Sequence, residues 1–237
     1  MTINSNLIKR VLVLCAGLLI MAFGIAFSIR ASLGTTPISS FPYVISVCTP
    51  LTVGTATICM HVVFISLQII ILRKNYSPFQ LMQLPVAILF GYLTDLAMKL
   101  SEFITPQTYW QQWLVCMAGI ALVGIGVTFE VKADIIVLAG EGLILAVCFA
   151  FPIKFGTMKI IFDVSLVAAA CITSLAFIGG ITGVREGTAT AALLVGCVVK
   201  LTNKVIENLK EQGMQAECSQ EQKWLRHPVA RLSLIHI

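Results

Sequence analysis

Charged residues are scarce in this sequence. Only 11% of its 237 residues are Asp, Glu, Lys or Arg, whereas 58% are hydrophobic, and a soluble domain carries about 25% charged residues. So few charged side chains do not cover a water-exposed surface, which favours a domain surrounded by lipid. The basic residues stand singly or in pairs at the ends of apolar runs, and this pattern excludes a nucleic-acid-binding surface.

Signatures of enzymes and of metal sites are also missing. The sequence has no G-x-S-x-G, Walker A, H-E-x-x-H or complete G-x-G-x-x-G motif, and so predicts no nucleophile elbow, phosphate loop or zinc helix. It has three histidines and eight cysteines without a C-x-x-C pair, which favours small buried side chains over a metal or disulfide framework. We therefore expect no enzyme activity, no cofactor and no bound metal.

What the sequence does contain is long apolar runs. We interpret six of them as membrane-spanning helices, for which about 20 residues are typical: residues 11–29, 55–72, 85–100, 113–131, 157–178 and 188–205. Two further segments, 36–48 and 135–151, are interrupted by Gly, Pro or Glu. We interpret both as short broken or re-entrant segments, although the second is long enough to leave a full span open.

The second half of the chain repeats the first at an offset of 102 residues. Comparing residues 11–62 with 113–164 without a gap gives twelve identical positions. The structurally demanding matches are Gly17 with Gly119, Gly24 with Gly126, Pro50 with Pro152 and Gly54 with Gly156. We therefore predict an internal duplication, with repeat 1 at about 9–100 and repeat 2 at about 111–206.

The predicted fold class is an all-α polytopic membrane protein. About six transmembrane helices form two inverted three-helix repeats, each with a short broken or re-entrant segment, and both termini lie in the cytoplasm. The positive-inside rule favours this arrangement over eight spans. It puts most basic residues inside, namely Lys9, Arg10, Arg73, Lys74, Lys132, Lys154, Lys159, Lys200 and Lys204, and leaves Arg30, Lys99 and Arg185 outside.

The domain assignment treats residues 1–212 as a single integral membrane domain. We interpret residues 213–231 as a cytoplasmic tail of doubtful authenticity. The last six residues, 232–237, read LSLIHI, which matches the translation of an adapter used in sequencing libraries. We expect them to be an artefact and exclude them from fold reasoning.

Several stretches resemble the YczE/YyaS/YitT-like integral membrane proteins of bacteria. The matching stretches are 31–40 (ASLGTTPISS), 89–95 (LFGYLTD), 139–143 (AGEGL) and 183–188 (GVREGT). The family more often has Pro where this chain has Ala139. The resemblance covers roughly residues 10–205 and implies a multi-pass protein of the bacterial cytoplasmic membrane. That family has no settled activity, and the resemblance permits a transporter without establishing one.

The two interrupted segments are the leading candidates for a functional centre. Interrupted apolar segments at matching places in two halves typically mark the site of a membrane transporter. The first segment offers hydroxyl groups, among them Thr36 and Ser39, and the second offers the carboxylate of Glu141 between two glycines. Ser39 and Glu141 are repeat counterparts, 102 residues apart, and Glu141 is the strongest single candidate for the solute or ion pathway.

Ionisable residues inside the spans form a second set of candidates. A charge at the bilayer centre costs at least about 2.5–3.5 kcal/mol, so it faces a partner or a wet cavity. Lys159 and Asp163 are four residues apart and share a helix face, which fits a pathway pair or an ion pair that only fixes packing. His61, the counterpart of Asp163, and Asp95 each fit a pathway or a structural role.

Charged residues near the ends of the spans are harder to assign. Arg185 and Glu186 lie in a Gly-rich loop, where they fit either the pathway or a pair that ties the loop down. Arg30, Glu130, Lys132 and Asp134 follow or end apolar runs. We interpret these four as anchors that reach towards the membrane surface.

Two classes of function remain. The first is a secondary transporter or permease for a small solute or ion, with a site between the two broken segments. The second is a non-transporting scaffold or regulator of a biosynthetic or membrane complex, and an intramembrane enzyme is less favoured because no nucleophile–base pair is visible. Expected partners are the lipid bilayer and an unknown small solute or ion, a homo-oligomer is compatible with the sequence, and no nucleic-acid partner is expected.

Overall fold

The fold is built from α-helices alone in the part of the chain that a computed structural model describes, which is residues 5–225 for the backbone and 6–208 for side chains. This confirms the predicted all-α class. The helices are α1 (Ser5–Arg30), α2 (Pro37–Cys48), α3 (Val53–Leu72), α4 (Gln83–Leu100), α5 (Tyr109–Ala133), α6 (Ala139–Ala150), α7 (Phe155–Ile178) and α8 (Glu186–Leu225), with 3-10 turns at Arg73–Asn75 and Pro78–Met82.

Within the described part of the chain, six helical stretches are long and apolar enough to cross a membrane. They are Asn6–Arg30, Val53–Asn75, Pro78–Leu100, Tyr109–Ala133, Phe155–Ile178 and Glu186–Asn208. Large apolar side chains on these helices point outward: Leu12, Ile70, Ile160, Ile172 and Leu193 are each more than 60% exposed. An apolar outer surface of this kind fits contact with lipid, and the protein is therefore a multi-pass membrane protein.

The two remaining helices are too short to span. Helices α2 and α6 contain 12 residues each, or about 18 Å at 1.5 Å per residue, whereas the hydrocarbon layer is about 30 Å thick. Within residues 135–151, only Ala139–Ala150 is helical. The full span that the sequence left open for this segment does not form.

The backbone breaks in the same way before each short helix. Ser32 has φ 58° and Asp134 has φ 46°, and these left-handed residues lie 102 positions apart. The residue before α2, Thr36, has φ −60° and ψ 150°, and its counterpart before α6, Leu138, has φ −58° and ψ 153°. Each half therefore runs long helix, broken segment, short helix, and then two long helices.

Helices α1 and α5 pack most extensively, and they do so through glycine. A Cβ atom on Gly17 would lie 2.9 Å from the carbonyl oxygen of Gly126, and one on Gly24 would lie 2.8 Å from that of Gly119. From the first of these contacts to the second, the residue number increases on α1 and decreases on α5. The two helices are therefore antiparallel. Glycine is required here because any side chain would meet the backbone of the other helix.

Each short helix packs against a long helix of the other half. Helix α2 contacts α7, and α6 contacts α3. The second contact belongs to an apolar cluster that joins α3, α6 and α7 and includes Met60, Phe64, Ile144, Phe162 and Leu166. These contacts bring the two broken segments, which are distant in sequence, to the same region of the fold.

The chain divides into two compact units, Met1–Val199 and Lys200–Ile237. The second unit contains the continuation of α8 as far as Leu225, and the predicted domain boundary at residue 212 falls inside it. The interpretation of residues 232–237 as an adapter lies outside the described residues, as does the part of the predicted tail after Leu225.

Candidate functional site

A cavity of about 400 Å³ lies between the two broken segments, and we call it the central cavity. Most of its lining is apolar and comes from the long helices. Its polar lining residues are Thr36, Ser39, Thr57, His61, Glu130, Glu141, Lys159 and Asp163. Six of the nine residues that the sequence proposed for a pathway therefore lie around one space.

The lining of the central cavity comes in pairs from the two halves. Six residues of the first half have their counterpart, 102 positions later, in the same lining: Met21 with Val123, Ile25 with Val127, Thr36 with Leu138, Ser39 with Glu141, Thr57 with Lys159, and His61 with Asp163. Both halves thus contribute to the lining, the second half with more residues, several of them from α8. Its chemistry is unequal, because the charged members of these pairs all come from the second half.

Lys159 and Asp163 form the ion pair that their spacing predicts. Lys159 Nζ lies 3.0 Å from Asp163 Oδ1, and the two side chains are 36% and 20% exposed. Lys159 is the only Lys or Arg among the described residues that line the cavity. Because Asp163 already pairs with it, the carboxylates of Glu130 and Glu141 give the cavity a surplus of negative charge when they are ionised.

The first broken segment presents hydroxyl groups to the cavity. Thr36 Oγ1 donates a hydrogen bond to Ser39 Oγ at 3.0 Å, and both residues are buried. Thr36 is the N-cap residue of α2, but its side chain caps no backbone N–H group. The start of this helix therefore keeps polar groups available to a bound solute.

His61 is the most enclosed polar residue of the first half in this lining. It is 2% exposed, and its ring meets the edges of Phe64 and Phe90 at centroid distances of 6.0 and 6.3 Å. Its Nδ1 atom is buried without a hydrogen-bond partner. A buried polar atom without a partner is costly, so this nitrogen is available to a ligand or a water molecule.

Glu130 corrects the interpretation drawn from the sequence. We expected an anchor at the end of a span, but the residue is 2% exposed and lines the central cavity. Its Oε1 atom accepts a hydrogen bond of 2.8 Å from the N–H group of Leu138, at the start of α6. One signal in the sequence could have shown that Glu130 is buried. Glu130 lies inside α5 at the position that corresponds to Ser28 in the first repeat.

Residues 8–204 match the profile of a family of unknown function, DUF6198. The chain belongs to this family. No curated protein and no solved structure matches it. The DUF6198 match contains both broken segments and every residue that lines the central cavity, and it is a match to this family rather than to the YczE/YyaS/YitT name.

Two further cavities of this DUF6198 protein adjoin the broken segments. The first-break cavity, of about 250 Å³, is lined by Ser32, Gly34, Thr35 and Arg185 among others. The second-break cavity, of about 560 Å³, is lined by residues 134–137 and, among others, by Asn75, Gln83 and Glu130. Residues 134–137 are the counterparts of residues 32–35, so these two cavities adjoin equivalent parts of the two repeats.

Arg185 and Glu186 lie at the first break and not in the central cavity. Arg185 Nη1 donates to the carbonyl oxygen of Ser32 at 3.1 Å, and Arg185 Nη2 lies 3.3 Å from Glu186 Oε1. The N–H group of Thr35 donates to the carbonyl oxygen of Gly183 at 3.2 Å. These bonds hold the Gly-rich loop against the break, which supports the structural alternative for the pair.

Asp95 also lies outside the lining of the central cavity. Its Oδ1 atom accepts from the N–H group of Gly54 at 2.7 Å, and its Oδ2 atom accepts from the hydroxyl group of Thr52 at 2.6 Å. Both partners are at the start of α3. Asp95 therefore joins α4 to the N-terminus of α3, where a negative charge is favourable.

Proposed function

We propose that this DUF6198 protein is a secondary transporter of a small polar solute or ion, which binds in the central cavity. One observation carries the proposal: residues at matching positions of the two halves line a single cavity that includes both breaks. Transporters built from inverted repeats bind their solutes at the interface of the repeats, next to discontinuous helices. The volume of about 400 Å³ suits a small molecule, since ligand pockets measure about 300–1,000 Å³.

The proposal includes an inverted relationship between the halves. The contacts of α1 with α5 support it, because exchanging the repeats converts the Gly17–Gly126 contact into the Gly119–Gly24 contact. In the same way, the packing of α2 on α7 converts into the packing of α6 on α3. Equivalent helices that run antiparallel, with reciprocal contacts, are what a two-fold axis in the membrane plane produces.

The proposed orientation has both termini in the cytoplasm. It rests on the excess of Lys and Arg at the ends of spans that face this side. In this orientation the second-break cavity faces the cytoplasm and the first-break cavity faces the outside. The resemblance to YczE/YyaS/YitT-like proteins adds the bacterial cytoplasmic membrane as the location.

The polar lining suggests how a solute is held. Glu141 and the Lys159–Asp163 pair supply charges of both signs, while Thr36 and Ser39 supply hydroxyl groups to the same cavity. No residue in this proposal acts as a catalyst, because binding and release need only a change in which break is open. Glu141 is assigned to direct contact with the solute.

Solute uptake into proteoliposomes tests this function. Purified protein is reconstituted and assayed with a panel of radiolabelled amino acids, sugars, organic acids and amines. We expect uptake of at least one solute above that of empty liposomes, and a loss of about tenfold or more in Glu141→Gln, since a hydrogen bond to a charged group is worth about 1.5–3 kcal/mol. Glu102→Gln, at an exposed loop position, is the matched control and retains uptake.

Absence of uptake for every solute, together with an unchanged cellular phenotype in Glu141→Gln, would contradict the proposal. The scaffold alternative then gains support if a partner protein copurifies in detergent with wild type and with Glu141→Gln alike. A transporter loses solute binding in Glu141→Gln, whereas a scaffold keeps its partner.

A further inference from the structure

Glu130 occupies the boundary between two cavities. It lines the central cavity together with Glu141, and it lines the second-break cavity together with Asp134. The residue is only 2% exposed, so it is buried while it lines both spaces. A group in this position is accessible to a small ion from either cavity.

Among the residues that the structure describes, those around Glu130 supply no positive charge that is free to pair with it. Lys159 is bound to Asp163 at 3.0 Å. Arg10 is bound to Asp134 at 2.8 Å and donates to the carbonyl oxygen of Ala133 at 2.7 Å. Because a buried carboxylate is costly unless its charge is compensated, such a group takes up a proton or a cation.

An independent observation shows that the central cavity has room for a polar partner. The Nδ1 atom of His61 is buried and unpaired although it belongs to the same lining. Among the residues that the structure describes, no group of three or more His, Cys, Asp or Glu side chains could hold a metal ion. This donor set favours a proton over a metal cation.

We propose that Glu130 exchanges protons between the second-break cavity and the central cavity. A proton from water in the second-break cavity binds a carboxylate oxygen of Glu130 and forms an O–H bond. That bond later breaks towards a water molecule or a solute in the central cavity, and the carboxylate is restored. The inference deepens the proposed transport function, on which it rests, because it names the proton as the coupling ion.

The hydrogen bond to Leu138 connects this exchange to the second broken segment. An ionised carboxylate accepts a hydrogen bond that is roughly twice as strong as a neutral one does. Proton binding therefore weakens the 2.8 Å bond between Glu130 Oε1 and the Leu138 N–H group. Since Leu138 precedes α6 directly, the charge on Glu130 controls how firmly the start of α6 is held against α5.

Other charged groups set the electrostatic environment of Glu130. Those that line its two cavities or lie against its helix are His61 on α3, Glu141 on α6, Lys159 and Asp163 on α7, and Asp134 with Arg10 bound to it. Among these groups Glu141 is the most similar to Glu130, because it is a second unpaired carboxylate in the central cavity. Its negative charge opposes the ionisation of Glu130.

Labelling with dicyclohexylcarbodiimide tests the proposal without a transported solute. The reagent adds to protonated carboxyl groups in apolar surroundings, and peptide mass spectrometry locates the adduct. The full chain in detergent is labelled from about pH 5 to about pH 9, a range over which buried carboxyl groups titrate. We expect an adduct at Glu130 that decreases about tenfold for each pH unit once ionisation sets in.

Two variants and one control variant make the labelling result more specific. Glu141→Gln removes a neighbouring negative charge, so the loss of labelling at Glu130 moves to lower pH, whereas Glu102→Gln leaves the profile unchanged. Glu130→Gln retains an acceptor for the Leu138 N–H group and loses the adduct. An unlabelled Glu130 across the whole range in monodisperse protein, or labelling that does not vary with pH, overturns the proposal.

The outcome is separable from that of the transport assay. Labelling at Glu130 without uptake of any solute leaves the proton site standing and contradicts the transport function. Uptake without pH-dependent labelling at Glu130 leaves transport standing and contradicts the coupling role.

Discussion

The charged residues within the spans differ in what they contact: Lys159 pairs with Asp163 beside the central cavity, whereas Asp95 binds the start of α3. The sequence showed which ionisable residues lie within spans, but the side to which each one points depends on how the helices pack. Lys159 and Asp163 contact each other because both lie on α7, four residues apart. Asp95 is equally deep in its span, yet it faces α3 rather than the cavity, and no local pattern indicates this.

Glu130 was misjudged for a related reason. Proximity to the end of an apolar run suggested an anchor, whereas the last turn of α5 is covered by the segment that leads into α6. The burial of Glu130 thus depends on a chain reversal that begins at Asp134, whose left-handed backbone at φ 46° is not specified by glycine. In the sequence, only the correspondence of Glu130 with Ser28 of the other repeat indicated that Glu130 faces inward.

Asp95→Asn is expected to lower stability and to leave transport per folded molecule unchanged. The amide weakens the charged hydrogen bonds to the start of α3, which are worth about 1.5–3 kcal/mol each. The check is thermal unfolding of purified protein in detergent, with uptake normalised to folded protein. Asp134→Asn is the control, because the Asp134 side chain is 91% exposed and exposed pairs contribute little. Loss of uptake in folded Asp95→Asn would return Asp95 to the pathway.

At the scale of helices, the order and approximate bounds were predictable from hydropathy and turn residues. The first break is marked in the sequence by Gly34, which lies between α1 and α2, and by Pro37, which begins α2. The second break has no proline, and the 17-residue segment 135–151, apolar except for Gly140, Glu141 and Gly142, was compatible with a span. The structure shortens its helix to Ala139–Ala150, so duplication was a better guide than hydropathy.

The crossing of α1 and α5 depends on glycine, and Gly24→Ala tests this. The new Cβ atom would lie 2.6 Å from the Val123 nitrogen and 2.8 Å from the Gly119 oxygen, so the helices must separate. Overpacking of this kind costs about 1–3 kcal/mol, and we expect a lower midpoint of thermal unfolding in detergent. Gly156→Ala is the matched control, since its Cβ atom meets nothing within 4 Å. Equal midpoints for wild type and Gly24→Ala would contradict the close crossing.

At the scale of the whole molecule, the central cavity exists only because the two halves pack against each other. Sequence comparison predicted the duplication and two breaks, but it did not predict a cavity lined by matching residues. That feature depends on the antiparallel contact of α1 with α5, which involves residues about a hundred positions apart. The unequal chemistry of the halves was visible earlier, because Ser39 and Thr57 correspond to Glu141 and Lys159.

We expect the central cavity to be reached from both faces of the membrane, at different times. The two outer cavities adjoin equivalent breaks, and in the proposed orientation they face opposite sides. A transport site must open alternately through each of them. A scaffold protein does not require access to the cavity from both faces. A cavity that is only a packing defect does not require it either.

The most direct measurement is the reaction of a single cysteine at Ser39 with a membrane-impermeant thiol reagent, applied separately to each face of sealed vesicles. The native cysteines are replaced, and Asn75→Cys and Gln107→Cys report the cytoplasmic and outer faces. Alternating access predicts that Ser39→Cys reacts from both faces, while each reporter reacts from one face only. Reaction of Ser39→Cys from a single face or from neither, or of both reporters from the same face, would contradict it.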